Sequence, residues 1–229
     1  MKRGIKILLL IFFVSCSNVP LTERKQINLL PESQMVAMAL TSYNDFLKEH
    51  PPVVNSNSDA QMVRKVGERV KSAVVQYMNE NNLSDRIKDY KWEFNLVDSK
   101  DVNAWCMPGG KVVVYSGLLP VTKNEEGLAL VMGHEIAHAE RRHVTQRLTA
   151  YYGVSMLLSF ILGGNPSLLA EIAANLFVGL AFLKNSRDDE TEADYYSIQY
   201  LKSTKWYPGG ITFFFDKIKE EQRKKGSTP

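Results

Sequence analysis

The stretch His134-Glu135-Ile136-Ala137-His138 reads H-E-x-x-H. Residues four apart on a helix lie on one face, one turn above each other. His134 and His138 can therefore offer two imidazole nitrogens to one metal ion. Two neutral histidines beside an open position suit a catalytic Zn²⁺. Glu135, the next residue round the helix, can reach a water on that ion and take its proton as the water attacks a polarised carbonyl. The alternative is a chance match on a surface helix. The chain has four histidines in 229 residues, and three of them fall between His134 and His143. That concentration favours the metal reading.

The flanks agree with a helix. Thr122-Lys-Asn-Glu125 has the T-x-x-E spacing of a capping box, and Asn124 is a rival N-cap. Leu128, Val131 and Met132 follow at helical spacing and predict a buried face. Gly133 is either a tolerated helix glycine or the point where another backbone approaches the helix.

At this length one domain is expected, with short appendages. A composition of 45% hydrophobic and 23% charged residues is ordinary for a globular chain. The formal charge of +3 rests on Lys2, Arg3 and Lys6; without them the basic residues equal the 25 acidic ones. No nucleic-acid footprint remains. Those three cations precede an apolar run, Ile7 to Val14, that is too short to span a bilayer as a helix of about 20 residues. The run ends Phe13-Val14-Ser15-Cys16, which resembles a bacterial lipobox. The expectation is a signal peptide over 1–15, a lipid anchor to a membrane at Cys16, and a tether over 16–30. Ser17, where Asp would retain a lipoprotein elsewhere, suggests an outer-membrane lipoprotein of the bacterial envelope facing the periplasm. An ordinary signal with an incidental cysteine is the alternative. With Cys16 acylated, Cys106 has no intrachain partner and reads as a buried thiol.

In chain order, Pro31 starts a helix that runs to about Lys48 and is stopped by Pro51-Pro52. His50, beside those prolines, reads as a solvated loop residue. Ser58 and Gln61 have capping-box spacing, and Met62, Val66, Val70, Ala73 and Tyr77 then line one face of a helix ending near Asn81. Trp92, Phe94 and Leu96 alternate with polar residues as in a half-buried strand. Pro108-Gly109-Gly110 marks a turn between two further strands. The prediction is a small antiparallel sheet ahead of the H-E-x-x-H helix. Its edge is either plain core or a template for an extended polypeptide. Residues 153–183 are strongly apolar, but the runs Val154–Leu162 and Ile172–Leu183 both fall short of about 18 residues. Helices packed over the site are expected, with shallow membrane contact as the alternative. Ser186 is a candidate N-cap before an acidic first turn. Glu190 and Asp194, four apart, face one way. They can supply a carboxylate ligand and an acceptor for a ligand histidine; plain acidic capping is the alternative. Pro208 then starts a helix with Ile211, Phe214, Phe215 and Ile218 on its apolar stripe.

Three motifs in this order, Asn103-Ala-Trp-Cys-Met-Pro-Gly-Gly110, the H-E-I-A-H stretch and Glu190-Thr-Glu-Ala-Asp194, resemble one family. It is the gluzincin peptidase family of the CAAX prenyl endopeptidase and the HtpX heat-shock peptidase, here in its periplasmic bacterial lipoprotein branch. The resemblance spans about residues 30 to 225. It implies an α+β, mainly helical, compact zincin domain over 31–229 with a small sheet beside the metal helix. It implies one Zn²⁺ held by His134, His138 and Glu190, with Glu135 as general base and Asp194 as a supporting carboxylate. It further implies a zinc endopeptidase acting on unfolded, misfolded or misassembled cell-envelope proteins, without a small-molecule cofactor. A lipoprotein that binds such chains without cleaving them, and holds zinc structurally, is the competing function. The family pattern continues past a G-S-x-P-like segment into a histidine-bearing tail, whereas this sequence reaches Gly226-Ser-Thr-Pro229. A domain truncated at its C-terminus and a member without the tail are both compatible with that.

His143 and Glu190 compete as third ligand. A longer metzincin-type motif places a third histidine six residues after the second, with a glycine midway to turn the chain. Here the spacing is five and Ala139-Glu-Arg-Arg142 contains no glycine. The helix is expected to continue through it. At about 100° per residue, His143 then lies half a turn off the face of His134 and has a packing or surface role. Glu190, on a separate helix, completes a His₂Glu site with one open position. Glu192, roughly 200° further round that helix, does not share the role.

Overall fold

In a computed structural model that describes residues 15–18, 25–28, 32–147 and 185–206, two layers of helix enclose one small sheet. Helix α1 (Glu32–Glu49) and helix α2 (Ser58–Glu80) precede strands β3 (Glu93–Val97), β4 (Ala104–Met107) and β5 (Lys111–Tyr115). A short helix α3 (Leu119–Thr122) leads into α4 (Glu125–Glu140), and α5 (Arg187–Leu201) packs along α4. The architecture is the mainly helical α+β domain expected.

The sheet order is β3-β5-β4. Strands β4 and β5 form the antiparallel hairpin expected around Pro108-Gly109-Gly110, with Trp105 opposite Val113. Gly109 and Gly110 take φ of +91° and +81°, a region open to glycine and costly for other residues. Strand β3 joins the other side of β5 in parallel, Phe94 opposite Val112, so the sheet is mixed. The connection from β3 to β5 passes through β4, which sets their directions alike.

Strand periodicity of two sorts the side chains. Phe94, Leu96, Cys106, Val112 and Val114 face one core with α2 and α4. Val97, Trp105, Met107, Val113 and Tyr115 face another with Met35, Ala39, Tyr43 and Phe46 of α1. Trp105 takes Phe46 edge-on, ring centroids 5.0 Å apart. Both faces are covered, so β4 and β5 are buried throughout and do not show the alternation that a half-exposed strand would.

Local starts differ by a residue or two from expectation. Asn57, not Ser58, caps α2, accepting from the amides of Asp59 and Ala60. Its buried stripe, Val63, Val66, Val70, Ala73, Val74 and Met78, leaves Met62 and Tyr77 at the margin. Asn124 caps α4 by accepting from Gly127 at 2.9 Å. Thr122 closes α3 instead, its hydroxyl donating to the Leu119 carbonyl. The expected tether contains a hairpin: β1 (Ser15–Asn18) pairs antiparallel with β2 (Lys25–Asn28), Cys16 opposite Ile27. An extended chain that turns back can satisfy its own amides in this way. The segment 1–14, the helices expected over 153–183 and the helix expected after Pro208 lie outside the described residues. Among the described residues no helix is long and apolar enough to cross a membrane.

Candidate active site

Helix α4 carries His134 and His138 on the face toward α5, and both rings are buried. Gly133 sits where α5 passes: a Cβ there would stand 3.4 Å from Ser197 Cβ. The approach is close, yet at ordinary van der Waals separation. Ser186 starts α5 with a full capping box, accepting from the Asp189 amide while Asp189 accepts from the Ser186 amide. This start aims Glu190 and Asp194 at the histidines.

His134 Nε2 lies 2.9 Å from His138 Nε2. Glu190 places Oε2 3.4 Å from His134 Nε2 and Oε1 3.4 Å from His138 Nε2. Donor atoms bound about 2.0–2.1 Å from a tetrahedral Zn²⁺ stand roughly 3.3 Å apart. The donor set of two imidazoles and one carboxylate thus has the chemistry and the spacing to hold such an ion. Asp194 Oδ1 accepts from His134 Nδ1 at 2.9 Å, leaving Nε2 to face the cluster.

Charge follows the same geometry. Burial opposes a charge on His134, but hydrogen bonds to Asp194 and Glu190 outweigh it and raise its pKa to about 10. Burial lowers that of His138 to about 4, keeping the ring neutral. Burial favours the acid form of Glu190, yet the hydrogen bonds from His134 and His138 prevail and hold its carboxyl well below the usual range. The pull that these carboxylates exert on a proton is one that a metal cation would also feel. Glu135 is not one of the three clustered donors; it lines a cavity with Trp105, Cys106, Met107, His138 and Arg147. Burial raises its pKa to about 7, against the opposing influence of His134. A carboxylate poised there can accept a proton near neutral pH.

His143 is outside the donor set and buried, in keeping with the packing role, but the helix expected to continue to it does not. Helix α4 ends at Glu140, and Arg142 takes a left-handed φ of +65°. The Arg142 guanidinium pairs with Glu32 at 3.0 Å, and the Arg86 guanidinium reaches the Glu140 carbonyl. Helical backbone resumes at 143. The break carries His143 back toward α4, fully buried, with Nδ1 2.7 Å from His138 Nδ1. It is neither at the surface nor among the three clustered donors. Glu192, outside the cluster as expected, lies 3.2 Å from His143 Nε2. Nothing in the sequence pattern announces a left-handed arginine, and without it His143 cannot be placed. Cys106 is a buried thiol, as expected, and His50 is exposed. Cys16 lies in β1.

Comparison with known proteins adds to this geometry. The chain is 26% identical over 209 residues to the mitochondrial metalloendopeptidase OMA1 of Schizosaccharomyces pombe, covering 90% of this chain and 58% of that protein. It is 34% identical over 139 residues to mitochondrial metalloendopeptidase OMA1 of Arabidopsis thaliana, covering 59% of this chain and 27% of that protein. It is 27% identical over 195 residues to the beta-barrel assembly-enhancing protease of Escherichia coli K12, covering 80% of this chain and 37% of that protein. The chain therefore spans between 27% and 58% of the length of these relatives. They carry other names than the CAAX prenyl endopeptidase and HtpX. The mitochondrial relatives also overturn the placement as a bacterial outer-membrane lipoprotein facing the periplasm. Basic residues followed by a short apolar run direct a chain to a membrane system without specifying which one. The model of Peptidase family M48 matches residues 65–218, a stretch that includes the H-E-x-x-H helix and the carboxylates of α5, and this chain belongs to that family.

Proposed function

We propose that this chain is a zinc-dependent endopeptidase that cleaves unfolded or misassembled polypeptides. The observation that carries the reading is the juxtaposition of the His134, His138 and Glu190 donors with a Glu135 that stays out of the cluster. A purely structural zinc site, as in a chaperone-like binder, would need no base beside an open position. Relatives named metalloendopeptidase and beta-barrel assembly-enhancing protease support proteolysis as the reaction class. The second of those names, which couples a protease to beta-barrel assembly, supports misassembled clients.

When bound, a zinc ion would supply Lewis acidity to water and to the scissile carbonyl. The chain's own residues do the remainder. His134, His138 and Glu190 would hold the ion, and Asp194 would keep the His134 proton on Nδ1 so that Nε2 stays free. Glu135 takes the proton of the attacking water and can return it to the leaving amine. The substrate would lie extended along β4. That strand is one of the two edges of the three-stranded sheet, its far side pairs with no strand among the described residues, and its residues Trp105 to Met107 line the same cavity as Glu135. Backbone pairing to an edge would hold the peptide in line with the base and tolerate many sequences.

The test is Glu135→Gln in the full chain. It should keep one zinc per chain and lose casein hydrolysis by about 10²–10⁴ or more. Hydrolysis at the wild-type rate would refute the assignment of the base. Zinc loss on this substitution would show that Glu135 is itself a ligand.

A further inference from the structure

We infer that His143 is a positioning residue for His138: through the paired Nδ1 atoms it aims the His138 Nε2 lone pair at the cluster formed with His134 and Glu190. The inference rests on the reading of that cluster as the metal site.

The chain of contacts has three links. His138 Nδ1 lies 2.7 Å from His143 Nδ1, between two buried rings inclined at 71°. His143 Nε2 lies 3.2 Å from Glu192 Oε2 and 3.6 Å from Asp189 Oδ1. His138 Nε2 faces His134 Nε2 and the Glu190 carboxylate. Between two Nδ1 atoms at this distance one must donate and the other accept, since each neutral ring has one N–H and one lone pair. Glu192, an acceptor only, settles which. It requires the His143 proton on Nε2, so His143 Nδ1 is left with its lone pair. His138 Nδ1–H then donates to it, and the His138 lone pair is on Nε2, toward the cluster. The opposite arrangement would set the Glu192 carboxylate against a lone pair and aim the His138 N–H into the cluster, where it could ligate nothing. Asn185 also meets this ring, its side-chain amide 3.2 Å from His138 Nε2.

Ligand histidines are ordinarily oriented by a carboxylate, carbonyl or water on the second ring nitrogen. His134 follows that habit through Asp194. His138 does not: its partner is a second imidazole, and the carboxylate comes one ring later. The sequence consequence is a histidine five residues after the second ligand, together with a helix break that turns it inward. Both are present, His143 and the left-handed Arg142.

The experiment compares metal binding by the full-length wild type, His143→Leu, His143→Asn and Glu192→Ala, with His134→Ala as a ligand control. Co²⁺ is the probe, read by its visible d–d absorption, and Zn²⁺ affinity follows by competition with a chelator; far-UV circular dichroism reports folding. His143→Leu should bind Co²⁺ about 10–100-fold more weakly, with a shifted absorption band. His143→Asn, whose Oδ1 can accept where Nδ1 did, should recover most of the affinity and the wild-type band. Glu192→Ala should weaken binding in the same direction, and it carries the test if His143→Leu does not fold. A folded His143→Leu with wild-type affinity and spectrum, or a Glu192→Ala indistinguishable from wild type, overturns the inference while leaving the metal site in place. A wild-type chain that takes up no Co²⁺, or a His134→Ala that binds as well as wild type, overturns the metal reading and this inference with it.

Discussion

Asp194 accepts from His134 Nδ1 at 2.9 Å, and that single bond decides which nitrogen of the ring faces the cluster. Its removal should be felt in metal binding before anything else. Asp194→Ala is expected to lower Zn²⁺ affinity by about 10–100-fold with the fold intact, because the side chain is 41% exposed and its loss opens little core. Equilibrium competition with a chelating dye would measure it; an unchanged affinity would remove Asp194 from the site. Cys106 makes a different prediction. Burial pushes its thiol well above the ordinary range. The unfolded chain has the ordinary pKa of about 8.5, so above that pH the unfolded state releases a proton that the folded state keeps. Stability is complete below that value and is lost as pH rises through it. From pH 7.5 to 9.5 the loss from this thiol is about 1.4 kcal/mol. Urea midpoints of wild type and Cys106→Val at the two pH values should differ by that contribution, and an equal decline in both proteins would contradict it.

At the scale of elements, the C-terminus of α4 bears most of the constraint. Glu140 is buried and receives the guanidinium groups of Arg86 and Arg141 and, at 3.1 Å, the hydroxyl of Tyr200 from α5. Arg141 in turn lies 3.8 Å over the Tyr196 ring. This network fixes where α4 stops and how α5 meets it. Removing the acid takes away the carboxylate that buried Arg141 and Arg86 both meet, and breaking a buried pair from one side costs about 3–5 kcal/mol. Glu140→Ala should therefore unfold at much lower denaturant, while Glu140→Gln, which keeps the shape and one acceptor, should lose less. Equal midpoints for Glu140→Ala and wild type would show that the network does not hold the junction. A helix that ran on through residue 142 would carry His143 away from His138. The clamp on Glu140 and the Glu32–Arg142 pair hold the break that brings it back.

For the molecule as a whole, the site ties α4 to α5 across sixty residues of sequence, and a metal ion there would be a cross-link between them. A ligand that binds only the folded state at about a thousand times its Kd adds roughly 4 kcal/mol, which for a domain of this size is on the order of 10 °C in Tm. Chelation should lower Tm by about that much and zinc should restore it, read by differential scanning calorimetry; a Tm indifferent to chelator and zinc would mean that no such cross-link forms. The sequence alone made the candidate site legible. H-E-x-x-H is a local pattern whose geometry follows from 3.6 residues per turn, so His134, Glu135 and His138 could be proposed from spacing within one helix, while Glu190 and Asp194, open to a capping reading by spacing alone, took their proposed roles from the family resemblance. The hairpin at Pro108-Gly109-Gly110 and the stop at Pro51-Pro52 were legible for the same reason, since turn chemistry is local. Only the tertiary structure decided the parallel pairing of β3 with β5, the helix break at Arg142 and the place of His143. Each depends on partners remote in sequence: the partners of β5 on its two sides, the pairing of Glu32 with Arg142, and the pairing of Glu192 with His143. Local periodicity carries no record of contacts across the eighteen residues from Phe94 to Val112, still less across the 110 from Glu32 to Arg142 or the 49 from His143 to Glu192, and it was packing that turned a helix expected to continue into one that stops.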